Sequence, residues 1–251
     1  MIDLHSHVLP GVDDGSRTVA QSVRVLRTFA ARGVTDVACT PHLLASRVED
    51  GWPATYEAAW DELLAASPDG VTLHRGAEVM LDRPLPAAAA ERKVTLGGSR
   101  YLLVEFPRMV PANIVARALA EVIHVGLVPV LAHPERYSSC TVETVRAWRD
   151  LGSVIQVDAT TVSMPRHRGE RARSLVRAGL ADILAGDNHG DDRSVANALE
   201  WLTESDGADQ ALLLLETNPR AILDDHQTYE VDPLPARRGL WGGVRRLLGS
   251  E

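Results

Sequence analysis

Short runs of Val, Leu, Ile and Ala alternate along this chain with segments in which apolar residues recur every three to four positions. The runs cover residues 2–7, 34–40, 71–80, 101–106, 128–133, 154–158 and 181–186. They are continuous rather than strictly alternating, as strands buried on both faces of a parallel sheet should be. Helix-period segments lie between them, at 18–32, 111–125, 141–151, 169–178 and 194–204. The first places Val19, Val23, Leu26 and Ala30 on one face and is closed by Gly33, and the second places Ile114, Ala118 and Ile123 inward. Repeated βα units predict an α/β fold, a distorted, TIM-like (β/α)7 barrel in a single domain over residues 1–225. An open doubly wound sheet is the alternative. No Gly-x-Gly-x-x-Gly follows the first strand, which disfavours the dinucleotide-binding form of that alternative. Residues 226–251 read as a tail with a short basic amphipathic helix at 239–248. That helix packs or frays in the plain reading; in the sharper one it meets an anionic membrane surface or a partner kinase.

Composition narrows the function classes. The chain has 251 residues, 45% of them hydrophobic and 24% charged, which is ordinary for a globular protein able to bury a sizeable core. A net charge of −8 argues against a nucleic-acid partner, whose phosphates would be repelled. Two cysteines, Cys39 and Cys140, make no disulfide framework. With no basic-then-apolar leader and no run long enough to span a bilayer, the expected location is the cytoplasm, with no transmembrane segment.

The candidate chemistry is positional. His5 and His7 close the first run at a spacing of two, which puts both on one strand face. His42 follows the second, Glu78 ends the third, Glu105 the fourth and His133 the fifth, and Asp187 and His189 end the seventh. Asp14 lies in the loop after the first run. Barrel enzymes carry their chemistry at the carboxyl ends of strands, and imidazole mixed with carboxylate suits Zn²⁺, Mn²⁺ or Fe. The number of ligand types points to more than one ion.

These residues stand in motifs that resemble the polymerase-and-histidinol-phosphatase superfamily. More narrowly, they resemble bacterial metal-dependent protein-tyrosine phosphatases paired with capsule and exopolysaccharide tyrosine kinases. The motifs are His5-Ser6-His7 followed by Asp13-Asp14-Gly15, then Thr40-Pro41-His42, Gly76-Ala77-Glu78, Glu105-Phe106-Pro107, His133-Pro134-Glu135-Arg136-Tyr137, Asp187-Asn188-His189 and Asn218-Pro219. The resemblance implies up to three ions, Mn²⁺ foremost, with Zn²⁺, Fe or Mg²⁺ as alternatives. It implies one ion on His5, His7, Glu78 and Asp187, a second on Glu78, Glu105 and His133, and a third on Asp14, His42 and His189. It also implies a phosphotyrosine protein substrate, a tyrosine kinase. Ala185-Gly186-Asp187 departs from the family's Ala-Ser-Asp, so a hydroxyl beside the site is missing.

Clustered cations would neutralise a phosphate dianion and acidify water. Arg136 and Arg193 are candidate clamps on the phosphate oxygens, with surface ion pairing as the plainer reading, and Asp14 joins them as a catalytic candidate. Asp13 is read as a brace for Asp14 or its loop, with a solvated side chain as the equal alternative. Cys140 and Arg146 match the Cys-x5-Arg of thiol-based phosphatases, but no glycine shapes a phosphate cradle and Glu143 would sit inside it. His74, His124, His167 and His226 are read as surface or helix-end residues. Arg166, His167 and Arg168 form a basic spot that solvates or meets an acidic peptide. A small-molecule phosphatase, such as one for histidinol phosphate, and a non-catalytic kinase-binding module are the competing functions.

Overall fold

A computed structural model describes residues 1–235, and parallel strands alternate with helices through most of that length. β1 (Ile2–Ser6) leads to α1 (Val19–Ala31), whose N-terminus is capped by Thr18 Oγ1 accepting from Gln21 N at 3.2 Å. α1 buries Ser22, Val25, Leu26 and Phe29. Its inward stripe is therefore rotated from the expected one, and Val19, Val23 and Ala30 fall on its edges. The large Phe29 ring sets that orientation, since it buries more apolar area than the residues it displaces.

The run at 34–40 ends in a break. β2 (Asp36–Cys39) stops before Thr40-Pro41, and β3 (His42–Leu44) resumes after it. The run at 71–80 breaks likewise, into β4 (Thr72–Arg75) and β5 (Glu78–Met80) around Gly76-Ala77. Pro41 has no N–H to continue a ladder. The two breaks lie side by side, because Cys39 pairs with Arg75 before them and His42 with Glu78 after them. α2 (Ala54–Ala66), between the two strands, was not foreseen. Its apolar residues run around the whole helix, so no stripe marks it in the sequence.

The remaining elements are β6 (Tyr101–Glu105), α3 (Ala112–His124), β7 (Val128–Ala132), α4 (Val142–Asp150), β8 (Val154–Asp158), α5 (Ala159–Val162), α6 (Arg166–Arg177) and β9 (Ile183–Ala185). After them come α7 (Asn197–Glu204), α8 (Ala208–Leu212), a π-helical turn (Leu213–Thr217) and α9 (Asn218–Leu223). α3 turns Val115, Leu119 and Val122 inward; Ile114, expected inside, is 48% exposed, and Ala118 and Ile123 flank the buried stripe.

All strand pairings are parallel, in the orders β1-β2-β4 and β3-β5-β6-β7-β8-β9. Because β2 continues into β3 and β4 into β5, the two sheets are successive lengths of one seven-stave wall. Asp187 N donates to His5 O at 2.9 Å and His7 N to Asn188 O at 2.8 Å, so the chain after β9 meets the end of β1 and joins the first stave to the last.

Two apolar layers fill the structure. Ile2, Leu4, Ala38, Leu103, Val130 and Ile183 pack inside the wall, with Leu96 and Ile222 closing its amino end. Val37, Leu102, Leu131, Ile155 and Leu184 face the helices. This is the period-two alternation of a pleated strand buried on both faces. Residues 226–235 return along the outside, where Asn218 Nδ2 donates to Tyr229 O at 2.9 Å and Leu234 N to Arg177 O at 3.1 Å. The expected helix at 239–248 lies outside the described residues. Among the described residues no helix is long and apolar enough to cross a membrane.

Candidate metal centre

Above the lumen's apolar half the lining turns polar, at the carboxyl ends of the strands. A bulge between Asp3 and Ser6 lets Leu4 stay in the lumen cluster while its neighbour His5 meets Gln156 on β8. Gln156 Oε1 also accepts from the backbone N–H of His133 at 3.3 Å, so the oxygen is correctly placed and His5 Nδ1 must be the donor in their 3.0 Å contact. His7 Nδ1 lies 2.7 Å from Asp13 Oδ2, a pure acceptor, so it too carries its proton on Nδ1. Both rings therefore offer Nε2 lone pairs, and those two nitrogens are 3.2 Å apart. Lone pairs held that close need a proton or a cation between them. A histidine whose Nδ1–H is fixed by an oxygen and whose Nε2 is free is the usual arrangement of a metal ligand.

The loop after β1 is shaped for this. It folds back on itself, with Ser16 N donating to His7 O at 2.9 Å and Gly11 N to Ser16 O at 2.8 Å. A Cβ on Gly15 would lie 2.0 Å from His7 O, so only glycine passes there. That passage seats Asp13 on His7, and Asp13 also braces its own loop, as expected, by accepting from Gly15 N at 2.9 Å. Asp14 is left outward, 3.3 Å from His42 Nε2 and 3.4 Å from His189 Nε2.

The other positions converge on Glu78. Its carboxylate is 3.3 Å from Nε2 of His5 and of His7, 3.0 Å from His42 Nδ1 and 2.8 Å from His133 Nε2. Glu105 is 3.3 Å from His42 Nδ1. Asp187 Oδ1 is buried without a hydrogen-bond partner, yet lies 3.3 Å from His5 Nε2 and 3.4 Å from His7 Nε2. His133 and Asp187 both take left-handed backbone, at φ 34° and 46°. Such positions cost about 1–3 kcal/mol each and turn strand-end side chains into the mouth.

All nine residues fall into four overlapping groups whose donor atoms lie within 4.8 Å of one another. The groups are His5, His7 and Asp187; His5, Glu78 and His133; His42, Glu78 and Glu105; and His7, Asp14, His42 and His189. The donor set fits hard-to-borderline divalent cations, being imidazole and carboxylate with no thiolate. Its electrostatics demand positive charge. Burial opposes protonation of His5, but Glu78 and Asp187 raise its pKa above the ordinary value. Burial likewise opposes protonation of His42, yet Glu105 and Glu78 push it up to about 10. Burial works against the charge on Asp187, but His5, His7 and Arg136 together hold its carboxyl well below the usual range.

A cavity of about 360 Å³ opens over this cluster. Arg136 lines it, donating to Asp158 Oδ2 at 2.8 Å and to Asp187 Oδ2. Arg193 also lines it, donating to Asp191 at 2.8 Å with Nη1 3.7 Å from Asp187. Several supporting residues had escaped the sequence reading. Asp158 both holds Arg136 and caps α5 through Thr160 N at 2.8 Å. Gln156 fixes His5; the signal for it was a lone amide in the buried strand Val-Ile-Gln-Val-Asp. Glu135 is fully buried beside Asp158, and burial together with that neighbouring charge raises its pKa to about 8. At the Gly186 departure Asp3 crowds the backbone: Gly186 N donates to Asp3 Oδ1 at 3.0 Å, and a Cβ on Gly186 would lie 2.6 Å from the other oxygen, which is buried without a partner.

The two cysteines and His74 stay apart from the mouth. Cys140 is buried and unpaired, and burial pushes its thiol up to about 12, far from a thiolate nucleophile. Cys39 is buried too, and its thiol is likewise pushed up to about 12. His74, expected on the surface, is partly buried on β4, with Nε2 2.9 Å from Asp36.

Fold and site define a parallel α/β barrel protein whose carboxyl-end mouth gathers overlapping groups of His, Asp and Glu that could hold metal ions. Residues 1–224 match the family described as capsular polysaccharide synthesis, CpsB/CapC, and the chain belongs to that family. It is 28% identical over 240 residues to the tyrosine-protein phosphatase CpsB of Streptococcus pneumoniae, covering 90% of this chain and 99% of that one. It is 26% identical over 251 residues to the tyrosine-protein phosphatase YwqE of Bacillus subtilis (strain 168), covering 95% and 97%. The crystal structures of YwqE from Bacillus subtilis and CpsB from Streptococcus pneumoniae, described as unique metal-dependent tyrosine phosphatases, include a chain that shares the fold. The TM-score is 0.78 at 22% identity, over 95% of this chain and 100% of that one. The phosphotriesterase of Mycobacterium tuberculosis shares the barrel more distantly, with a TM-score of 0.58 at 14% identity over 91% and 95% of the two chains.

Proposed function

We propose that this chain is a metal-dependent protein-tyrosine phosphatase that hydrolyses phosphotyrosine on a bacterial tyrosine kinase of capsule or exopolysaccharide synthesis. The observation that carries the reading is the facing pair of His5 and His7 Nε2 atoms, 3.2 Å apart, with both Nδ1 protons committed to oxygen acceptors. Membership of the capsular family and full-length similarity to proteins named tyrosine-protein phosphatases support it. Two unpaired cysteines suit action in the cytoplasm.

His5, His7, Asp14, His42, Glu78, Glu105, His133, Asp187 and His189 would hold up to three divalent cations, with Mn²⁺ the first choice. Glu78, central to the cluster, would be shared between ions. Bound there, the cations would supply Lewis-acid neutralisation of the phosphate's charge and acidify water. The chain's own groups do the rest. Arg136 presents a planar guanidinium whose orientation is set by Asp158, so it meets phosphate oxygens already aligned. Arg193, held by Asp191, lies 3.7 Å from the same Asp187 oxygen that Arg136 meets. Asp14 is 69% exposed and can exchange a proton between the mouth and solvent. The leaving group is a phenolate with a pKa of about 10, which needs less protonation than an alkoxide. Gln156 and Asp13 keep the two β1 imidazoles in one tautomer.

The test is turnover of phosphotyrosine peptides and of histidinol phosphate by protein supplied in turn with Mn²⁺, Zn²⁺, Fe²⁺ and Mg²⁺. Phosphate release from the peptides, lost on chelation and restored by metal, is the expected result. Turnover of histidinol phosphate alone would move the site to a small metabolite. Peptide binding without release would make the chain a non-catalytic module.

A further inference from the structure

Four arginines line the cavity over the cluster: Arg108, Arg136, Arg168 and Arg193. Two are committed, Arg136 to Asp158 and Asp187, and Arg193 to Asp191. The guanidinium groups of Arg108 and Arg168 make no hydrogen bond or ion pair with any described residue. Their backbones, by contrast, are fixed. Arg108 O accepts from Ser138 N at 2.7 Å. Arg168 lies in the first turn of α6, which is pinned by Arg171 Nη1 donating to Tyr137 O at 3.1 Å and Arg173 Nη1 to Met164 O at 2.8 Å. Both segments are thus tied to the same turn, residues 137–138, just beyond His133.

The start of α6 carries an unfavourable pattern. Its first turn has no acidic residue and begins Arg166-His167-Arg168, which sets positive charge at the positive end of the helix dipole. Each such placement costs a few tenths of a kcal/mol, and no carboxylate among the described residues offsets Arg168. The chain as a whole has a net charge of −8, so an acidic partner gains nothing from the overall field and must be held by local groups. Free guanidinium groups on fixed backbone, beside a cavity that would take a phosphorylated side chain, fit a second anionic group on the same substrate.

We propose that Arg108 and Arg168 recognise carboxylate side chains flanking the phosphotyrosine of a peptide substrate. The proposal rests on the phosphotyrosine reading above. Arg136 and Arg193 face the phosphate in that reading, and the free pair reads its neighbours.

The experiment compares kcat/KM of the metal-loaded protein on one phosphotyrosine peptide flanked by Glu, by Gln or by Lys, with phenyl phosphate as a substrate that has no flanks. The wild type is expected to prefer Glu to Gln by about fivefold, mostly through KM, and to lose the preference near 0.5 M salt, where the Debye length falls to about 4 Å. The R108Q/R168Q double variant should level the Glu and Gln peptides while its rate on phenyl phosphate stays within about twofold of wild type. R108E/R168E should prefer the Lys peptide, an inversion that a structural role would not give. Equal wild-type rates on all three peptides, or a Glu preference that survives in the double variant, would overturn the proposal. So would an equal loss on phenyl phosphate, which would place the pair on the reacting phosphate. Affinity for the same peptides carrying a non-hydrolysable phosphonate is measured in parallel. A wild type that hydrolyses none of the phosphate esters sinks the phosphatase reading, while the binding arm still decides the role of Arg108 and Arg168: a Glu preference lost in the double variant keeps it, and its absence ends it.

Discussion

The two ends of the barrel solve the problem of buried charge in opposite ways. At the amino end two partly or fully buried acids are matched by bases. Asp182 accepts from Arg149 at 2.9 Å and from Ile155 N at 2.8 Å. Asp36 lies between His74 at 2.9 Å and Arg220 at 2.7 Å. At the carboxyl end Glu78 alone has four imidazoles around it, two of which aim their Nε2 atoms at each other. The first end neutralises itself. The second leaves carboxylates and lone pairs converging on common points, the arrangement that the proposed cations would fill. Barrel folds tolerate this division because the strands that fix the mouth are anchored by the apolar lumen below it.

Substitutions on either side put that contrast at risk. Glu78→Gln removes the shared carboxylate and should lower phosphotyrosine hydrolysis by about a thousandfold in metal-supplemented assays; a variant of near-normal rate would dissolve the cluster's significance. Arg149→Ala strands the carboxylate of Asp182 in the interior. It should cost about 2–3 kcal/mol in urea unfolding, with kcat of the folded protein within about twofold of wild type. Asp13→Ala leaves the Nδ1–H of His7 without its acceptor and should weaken metal affinity by about 10- to 100-fold, with activity recovered at higher metal concentration. Arg220→Ala should cost about 1 kcal/mol at pH 7. Burial opposes the charge on Asp36, but His74 and Arg220 hold its pKa below the ordinary value. Its contribution is therefore present above the unfolded pKa of about 3.9 and is lost as pH falls through the lower folded value, so the Tm gap between variant and wild type should narrow on acidification below the unfolded pKa. Cys140→Ser should change activity by less than about twofold, because a thiol pushed up to about 12 takes no part.

Much of the mouth was legible because strand ends announce themselves. His5, Glu78, Glu105, His133 and Asp187 each follow an apolar run, and parallel strands deliver every such end to one side. Other features carried no linear signal. Helix faces were misjudged by part of a turn, as Phe29 and Val115 show, since a 3.6-residue period leaves neighbouring stripes nearly equal until a partner surface picks one. Asp13 could have braced several groups, and the tight passage at Gly15 selected His7. The side chains of Arg108 and Arg168 are 60 residues apart and share a cavity only because the loop after β6 and helix α6 both meet the turn at 137–138.

By itself the sequence determined the order of strands and helices, the parallel barrel class and the kinds of donor atom at each strand end, because these follow from local patterning and chain direction. Tertiary structure alone decided which nitrogen each histidine presents, which acids are neutralised and which wait for a cation, and which arginines remain free. Those outcomes depend on distances of a few ångströms between residues far apart in the chain, and no periodicity encodes such distances.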